Sequence, residues 1–312
     1  MKDLRKDSAA RHRVGSDAEG QRVDNYLLRI LKGVPKSHIY RIVRSGEVRV
    51  NSRRVAPAYR LQCGDDVRLP PVRTATPAQT AAPRPDSRLE SAIVYEDEHL
   101  LALNKPPGLA VHGGSGIAFG VVEQLRAQRP QCRFLELVHR IDRDTSGLLL
   151  LAKKRSALTA LHAELRDGRV RKQYLALVKG KWRSPRQSVR LNLRKTVLAS
   201  GERRVHVDAA GQEAHTVFRL ERGWHEYSLL RAELKTGRTH QIRVHLAHLG
   251  YPIAGDDKYG DFELNRQLAR GGLKRMFLHA ASLCFRHPAS GSMLTLEAPL
   301  PDDLLRFLRG LE

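Results

Sequence analysis

The sequence predicts an α+β protein whose larger domain is built on a mixed, largely antiparallel sheet with flanking helices. From Ile93 onward, short β-rich runs such as "LLALN", "GLLLLAKK" and "YSLLRAEL" alternate with turns and with a few helical stretches such as "ALTALHAELRDG". Ahead of them, "PVRTATPAQTAAPRPDS" carries four prolines and four alanines but no large apolar side chain beyond Val72, which is typical of a linker. The linker separates off a second, smaller α+β domain at the amino terminus.

We place the boundaries by composition. Residues 1–18 are polar, charged and without apolar periodicity, so we expect a disordered tail. The small domain should cover residues 19–72, the linker residues 73–88 and the large domain residues 89–312.

The small domain should contain two helices and a hairpin. "QRVDNYLLRIL" repeats its apolar residues at the i, i+3, i+4 spacing of an amphipathic helix, and "PKSHIYRIVRSG" gives a second helix that ends at Gly46. "EVRVNSRRV" alternates valine with charge around an Asn51–Ser52 turn, and "DDVRLPP" supplies a closing strand.

Positive charge is concentrated in this domain. The chain has 55 Lys+Arg against 33 Asp+Glu, a net charge of +22, which favours a polyanionic partner. Residues 22–60 alone hold ten Lys/Arg and two Asp/Glu. An ordinary solvated helix face is the alternative, but the charges gather on one helix face and on the hairpin, which favours an RNA-binding domain. The candidate RNA-binding residues are Lys36, Ser37, Arg41, Arg44, Arg53 and Arg54.

Several classes of protein find no support. No apolar run is long enough to span a membrane and no signal peptide is recognisable, so we expect no membrane association and a cytoplasmic location. Nucleotide-binding, dinucleotide-binding, zinc-protease and serine-hydrolase motifs are absent, so no nucleotide cofactor is expected. Three cysteines far apart suggest neither a disulfide framework nor a zinc site, and we expect all three to be buried.

A histidine group invites a metal hypothesis, which we disfavour. "RTHQIRVHLAH" interleaves His240, His245 and His248 with Arg238 and Arg243, whose cations oppose a nearby divalent ion. No carboxylate or thiol is adjacent. We therefore expect no metal.

The strongest chemical candidate is Asp142. In "VHRIDRDTSGLLLLAKK" it lies between Arg140 and Arg143, ahead of a "DTSG" turn and a run of four leucines typical of a buried strand. We expect the arginines to keep the carboxyl ionised and the strand to fix it, so that Asp142 can act as a nucleophile or a base. The alternative is an aspartate that only caps the turn and pairs with arginine. Asp144 is the weaker candidate, because the turn itself should occupy its carboxylate.

The same stretch carries a family resemblance. "HRIDRDTSGLLLLAKK", together with "NKPPGLAVH", "RKQYLALVKG" and "LKTGRTHQIRVHLAHLGYPIAGDDKYG", resembles the motifs of the RluA-type RNA pseudouridine synthases, over nearly all of residues 90–302. "KGVPKSHIYRIVRSGEVRVN" resembles the RNA-binding domain named after ribosomal small-subunit protein four. With the linker and "GDDVRLPPVR", the chain is most similar to the RluC branch, which modifies large-subunit ribosomal RNA. Ile141 stands where leucine is more usual, a conservative change.

The resemblance implies a pseudouridine synthase fold and a set of roles. Asp142 matches the aspartate that attacks the target nucleoside, and Arg140 the arginine that enters the RNA stack as the uridine leaves it. Tyr174 matches the tyrosine that lies against the flipped uracil and is implicated in the final proton removal. Arg243 matches the arginine that pairs with the catalytic acid. From the residues alone, Tyr174 can instead be a core side chain and Arg243 a phosphate contact.

The implied partner is 23S ribosomal RNA, and we expect a monomer. Isomerising uridine consumes nothing beyond the base itself, so the reaction requires no cofactor or metal. The competing functions are a non-catalytic RNA-binding or ribosome-assembly factor of the same fold, a synthase acting on another structured RNA such as tRNA, and a glycosylase that releases free uracil.

Overall fold

The computed structural model describes residues 9–31, 33–72, 87–113, 119–197 and 203–311. The chain divides into two compact units, Met1–Ala82 and Pro83–Glu312. The division falls inside the segment predicted as a linker. Residues 73–86 of that segment lie outside the described residues, and Ser87 already begins a helix.

The amino-terminal unit packs two helices against a small sheet. The helices are α1 (Val23–Ile30) and α2 (Lys36–Arg44). The strands are β1 (Ala10–Arg13), β2 (Arg49–Val50), β3 (Arg53–Arg54) and β4 (Asp66–Leu69), in the spatial order β1-β4-β2-β3. The helix predicted from "PKSHIYRIVRSG" is confirmed, and Ile39, Ile42 and Val43 form its buried face. Asn51 and Ser52 both have positive φ, which closes the predicted hairpin as a tight two-residue turn.

The expectation of a disordered tail over residues 1–18 is wrong for its second half. Ala10–Arg13 form an edge strand that pairs antiparallel with β4, and Ser16–Ala18 form a 3₁₀ turn. Residues 1–8 lie outside the described residues. The polar composition of these residues gives no strand pattern, because an edge strand is held by backbone hydrogen bonds and needs few apolar side chains of its own. Val14 and Ala18 supply its anchorage by burial in the core.

The larger unit is an α+β structure, as predicted. Its described helices are α3 (Ser87–Ser91), α4 (Val121–Gln128), α5 (Arg155–Arg166), α6 (Gln241–His248), α7 (Phe262–Arg270) and α8 (Asp302–Arg309). Its described strands are β5 (Ile93–Glu96), β6 (Leu100–Lys105), β7 (Glu136–Leu137), β8 (Ser146–Ala152), β9 (Arg171–Lys179), β10 (Arg186–Val197), β11 (Arg203–Val207), β12 (Gln212–Gly223), β13 (Tyr227–Leu234), β14 (Leu278–Arg286) and β15 (Met293–Glu297).

These eleven strands form one mixed, largely antiparallel sheet. Its order is β11-β10-β12-β13-β9-β14-β8-β6-β5, with β15 paired to β14 and β7 to β8. Among the described pairings only β14 with β8 is parallel. The long neighbours β13, β9 and β14 run through the centre of the sheet and carry much of the apolar core on both faces.

The strand β8 fixes the loop that precedes it. Every residue of β8 is buried, as its leucine run predicts. Gly147 has φ +106°, and a Cβ there would lie 2.2 Å from the carbonyl oxygen of Ala280. Only glycine permits this close approach of β8 to β14. The loop of residues 138–145 is thereby attached to the centre of the sheet.

The cysteines are not fully buried, contrary to our expectation. Cys63 is exposed and Cys132 and Cys284 are half-buried, and all three are free. Cys63 lies in the turn just before β4, where its side chain is exposed. None of the helices in the described ranges has the length and apolar character needed to span a bilayer.

Candidate active site

A cavity of about 340 Å³ opens in the larger unit beside the loop that precedes β8. That loop, the start of β9, and the segment that leads into α6 build most of it, and the end of α5, the end of β13 and the start of β14 complete the lining. Its lining contains Asp142, Arg140, Tyr174, Lys172, His240 and Arg243, so three distant sequence motifs converge there. All three side chains proposed from the sequence as catalytic therefore face one space.

Arg243 links two carboxylates. Its Nη1 donates to Oδ2 of Asp142 over 3.2 Å, while its Nε and Nη2 donate to Asp256 over 2.7 and 2.8 Å. The Arg243 side chain is 5% exposed and that of Asp256 1%, whereas Asp142 is 25% exposed at the cavity. Asp256 therefore fixes the guanidinium, and Asp142 receives only its remaining edge.

The Arg243–Asp256 pair remains ionised although it is buried. Burial opposes the charge on each partner, but the hydrogen bonds and the opposite charge outweigh it. As a result the pKa of the Arg243 guanidinium is raised and the pKa of the Asp256 carboxyl is lowered. Oδ1 of Asp256 also accepts hydrogen bonds from the backbone N–H groups of Lys258 and Tyr259.

His240 closes the other side of Asp142. It precedes α6 in a left-handed conformation with φ 53°, which points the ring into the site. Its Nε2 lies 4.0 Å from Oδ2 of Asp142, and its Nδ1 is hydrogen-bonded to the Tyr259 hydroxyl over 2.8 Å. Burial lowers the pKa of His240, so the ring is predominantly neutral at pH 7.

A buried lysine supports the loop that carries Asp142. Lys105 is fully buried, and its Nζ donates to the carbonyl oxygens of Pro106, Leu109 and Arg143 over 2.7, 3.0 and 2.9 Å. All three ammonium hydrogens are thus used. Burial lowers its pKa to about 7. The carbonyl of Arg143, directly after Asp142, is held by Lys105 and by the N–H of Gly108 together.

The arginines beside Asp142 are not its partners, contrary to our expectation. Arg143 turns to Asp144, with Nε 3.2 Å from Oδ1, and Arg140 is exposed and forms no ion pair with any described residue. Adjacent residues in this loop point in different directions, so chain proximity does not bring the charges together. Asp144 is occupied by Arg143 and not, as expected, by the turn. The turn is closed by the Thr145 N–H and the Asp142 carbonyl.

Tyr174 lies in the wall of the cavity on β9. It is 7% exposed, and its hydroxyl forms no hydrogen bond with a described residue. Burial, with a smaller contribution from the negative charge of Asp142, raises the pKa of the phenol. The hydroxyl is therefore protonated at neutral pH. Ala232 and Ala280 lie opposite it on the neighbouring strands, which leaves room beside the ring.

The residues proposed to bind RNA in the amino-terminal unit have two kinds of surroundings. Lys36, Ser37, Arg41 and Arg44 are exposed on α2 and line a shallow depression with Tyr40. Arg53 and Arg54 are exposed on β3, and Arg54 also donates to the carbonyl oxygen of Ser45.

The three histidines of the metal hypothesis do not converge. His240 faces Asp142, whereas His245 is fully buried and neither of its ring nitrogens has a partner among the described residues. Within those residues, no group of three or more His, Cys, Asp or Glu side chains could hold a metal ion.

Sequence reasoning missed Lys105, Asp256, His240 and Tyr259 as parts of the site. Two of them carried a usable signal. Lys105 and Asp256 are charged residues within the quoted motifs "NKPPGLAVH" and "GYPIAGDDKYG", where tight turns surround a charge. The contact of Tyr259 with His240 had no signal in the sequence.

Comparison with known proteins identifies the class. A family model described as RNA pseudouridylate synthase matches residues 99–248, and an S4 domain model matches residues 21–67. The chain belongs to the RNA pseudouridylate synthase family. It is 54% identical to ribosomal large subunit pseudouridine synthase C of Escherichia coli (strain K12) over 303 residues, which cover 96% of this chain and 95% of the relative. The protein of the same name from Pasteurella multocida (strain Pm70) is 54% identical over 302 residues, covering 96% and 92%.

Solved structures agree on the fold. Human RNA pseudouridylate synthase domain containing 1 matches with a TM-score of 0.56 and 26% identity, over 67% of this chain and 83% of that one. Human RNA pseudouridylate synthase domain containing 4 matches with a TM-score of 0.60 and 24% identity, over 72% and 94%. The predicted pseudouridine synthase fold and the predicted amino-terminal domain are both confirmed.

Proposed function

We propose that this protein isomerises specific uridines of 23S ribosomal RNA to pseudouridine, with Asp142 acting on a flipped-out uridine. One observation carries the proposal: a partly exposed carboxylate faces the cavity and is held by an arginine that a second, buried carboxylate fixes. The names of the large-subunit relatives support the choice of RNA.

The site suits an isomerisation better than a hydrolysis. The C1′–N1 bond must break, the uracil must turn, and the C1′–C5 bond must form, so neither water nor a cofactor enters the balance. Asp142 is the only carboxylate in the described lining of the cavity. A hydrolytic glycosidase usually places a second carboxyl group across the bond with a water molecule between.

Arg140 and Tyr174 have complementary roles in this proposal. The uridine must leave its stack before it can reach Asp142, which costs a few kcal/mol, and the exposed side chain of Arg140 is free to fill the gap. The Tyr174 ring supplies the surface for the displaced uracil. Because the phenol is protonated, it can take up the proton from C5 only while passing its own proton on.

Arg243 orients the Asp142 carboxylate and keeps its negative charge compensated until RNA binds. A guanidinium that donates two hydrogen bonds to the buried Asp256 cannot move away, so the Asp142 carboxylate is preorganised.

The amino-terminal domain increases affinity for RNA. Lys36, Ser37, Arg41 and Arg44 form an exposed basic face on α2, and Arg53 and Arg54 extend it onto the hairpin. We propose that this domain covers residues 10–72, because β1 belongs to its sheet, and that the catalytic domain begins with the helix at Ser87 and covers residues 87–312. We also propose that the protein acts in the cytoplasm and as a monomer. No nucleotide cofactor is needed in this proposal, because the isomerisation consumes nothing beyond the base itself.

Mapping pseudouridines in 23S ribosomal RNA from cells with and without the gene tests the proposal. Specific sites should be lost without the gene and restored by the purified protein on RNA from those cells, including after treatment with EDTA. Loss of sites in tRNA alone would favour the other RNA substrate. Release of free uracil would indicate a glycosylase, and unchanged modification of all RNAs a non-catalytic binding factor.

A further inference from the structure

Lys172 is a half-buried cation in the wall of the cavity, and the proposed mechanism gives it no part. It lies two residues before Tyr174 on β9 and on the same face of the strand, about 6.6 Å along it. Among the described residues, its Nζ has neither a hydrogen bond nor an ion pair. Burial lowers its pKa.

Its position can be fixed from two neighbours. A Cβ built on Gly237 would lie 3.6 Å from Nζ, so the ammonium group lies beside the turn that follows β13, the neighbouring strand. Its charge also contributes, after burial, to lowering the pKa of His139 to about 4. Lys172 therefore lies between His139 and Gly237 and faces the space next to the Tyr174 ring.

The other cations of the cavity have different surroundings. Arg140, Arg166 and Arg238 are exposed at its rim, where RNA phosphates can be bound in water. Arg243 is hydrogen-bonded to the carboxylates of Asp142 and Asp256 and lies 3.7 Å from that of Asp257. Lys172 alone, among the cations in the described lining, is both partly desolvated and without an anionic partner. A desolvated cation without a partner is costly unless an anion forms beside it.

We infer that Lys172 is a catalytic residue that stabilises the negative charge developing on the uracil. This rests on the proposed function. When C1′–N1 breaks, its electron pair moves into the uracil ring and onto O2 and O4, while Asp142 compensates at the sugar. When C1′–C5 forms, that pair is used in the new bond, C5 loses its proton and N1 gains one. The interaction exists chiefly in the transition state and therefore raises the rate and not the affinity.

The test compares Lys172→Met and Lys172→Ala with Lys179→Met, an exposed lysine at the far end of β9 that pairs with Asp261. Single-turnover rates at saturating 23S RNA fragment should fall roughly 100-fold for the Lys172 variants, as on removal of one oxyanion-stabilising group. The dissociation constant should stay within about threefold of wild type. Ethylammonium should partly restore Lys172→Ala, whereas ethanol should not, and Lys179→Met should match wild type throughout.

A rate within threefold of wild type for both Lys172 variants would overturn the inference. Weaker binding would also overturn it if the slope of log binding constant against log salt concentration fell in magnitude by about 0.9. That result would show that Lys172 contacts an RNA phosphate. If Lys172→Met fails to fold, rescue of Lys172→Ala by amine decides the matter. Wild-type activity is measured in the same assay, so failure of the proposed function is recognised separately.

The outer face of the amino-terminal sheet carries a row of four arginines. Arg11, Arg68, Arg49 and Arg54 lie directly opposite one another across four adjacent strands, and all four are exposed. Side chains directly opposite in antiparallel strands share a face, and like charges there are destabilising. Arg11 pairs with Asp66, and Arg49 and Arg54 donate to backbone carbonyl oxygens, but Arg68, in the middle of the row, has no partner among the described residues. We expect this juxtaposition of like charges to cost stability unless an anion binds to it.

We propose that this arginine row binds the phosphates of an RNA strand. The row meets the basic face of α2 and the hairpin at Arg54 and continues it across the outer face of the sheet. The proposal rests on the proposed function for the identity of the polyanion. Side chains in adjacent strands repeat about every 4.8 Å, so the row presents a continuous line of cations to one backbone.

Replacing Arg11, Arg49 and Arg68 by Gln tests it. The melting temperature should stay or rise, because repulsion is relieved, while affinity for the RNA falls at least tenfold and the salt slope falls by about 2 to 3. Gln at Arg270, Arg306 and Arg309, three exposed arginines of the larger unit, is the charge-matched control. Unchanged affinity and slope, or a loss equal to that of the control, would rule the surface out.

Discussion

Asp256 holds Arg243 through two hydrogen bonds of 2.7 and 2.8 Å, and both side chains are almost fully buried. This pair determines where the guanidinium meets Asp142. Its geometry makes Asp256 a positioning residue for Asp142, the proposed catalytic carboxylate, although Asp256 itself does not line the cavity.

Asp256→Asn should therefore reduce both stability and rate. It leaves a buried guanidinium without its main counterion, which costs about 3 kcal/mol or more in the free energy of unfolding. Asp257→Asn is the matched control: Asp257 is the next residue, 3.7 Å from Arg243 but 76% exposed, and should change stability by less than about 0.5 kcal/mol. Urea denaturation and single-turnover assays check this, and equal effects of the two variants would contradict it.

Asp142→Asn should fold and bind RNA with affinity changed by less than about tenfold, or 1.4 kcal/mol, yet form no pseudouridine. Asparagine has the same shape but can neither attack nor accept a proton. The control is Asp144→Asn, which breaks only a partly exposed pair with Arg143 and should cost less than about 1 kcal/mol. Conversion of uridine by purified Asp142→Asn would remove Asp142 from the centre of the mechanism.

Tyr174→Phe keeps the ring but removes a hydroxyl that has no partner among the described residues. RNA binding should persist while product formation falls sharply, because proton removal from C5 loses its relay. Tyr227→Phe, on β13, controls for loss of a tyrosine hydroxyl elsewhere in the sheet. Near-normal turnover by Tyr174→Phe would leave the residue a stacking surface only.

Removal of residues 1–86 should weaken binding to ribosomal RNA and flatten its salt dependence, because phosphate contacts release counterions in proportion to their number. Lys36→Ala combined with Arg41→Ala and Arg44→Ala should reproduce part of this, lowering the salt slope by about 2 to 3. Measuring the binding constant as a function of salt concentration checks both predictions. An unchanged slope for both proteins would place the contacts elsewhere.

His245 should make the protein sensitive to mild acid. Burial, together with the positive charges of His248 and His215, lowers its pKa from 6.5 to about 4. Below pH 6.5 the unfolded chain binds a proton here that the folded chain does not, so stability falls as pH decreases from 6.5 towards 4. At pH 5 this amounts to roughly 2 kcal/mol.

His245→Leu should therefore lose about 2 kcal/mol less than wild type between pH 7.5 and pH 5 in urea denaturation. At pH 7.5 it should be at least as stable, because two buried nitrogens without partners are removed. His225→Leu, at an exposed position, is the control. Parallel pH dependence of wild type and His245→Leu would show that His245 is not the source.

Local patterns were sufficient to predict the elements of the fold. The leucine run predicted β8, the i, i+3, i+4 spacing predicted α1 and α2, and Asn51–Ser52 predicted the hairpin, because each depends on neighbours in the chain. The edge strand β1 was missed, since backbone pairing with a strand more than fifty residues away leaves no trace in local composition.

The sequence by itself determined the family motifs and the basic amino-terminal domain, and it predicted Asp142 as the central acid. Only the tertiary structure decided what surrounds that acid. The arginine that holds Asp142 is 101 residues away and not adjacent, because a loop turns neighbouring side chains apart while the sheet brings distant strand ends together. Charges that are far apart in the chain then interact at low dielectric. The strength of their interaction depends on burial and hydrogen bonding, and neither can be read from a single residue.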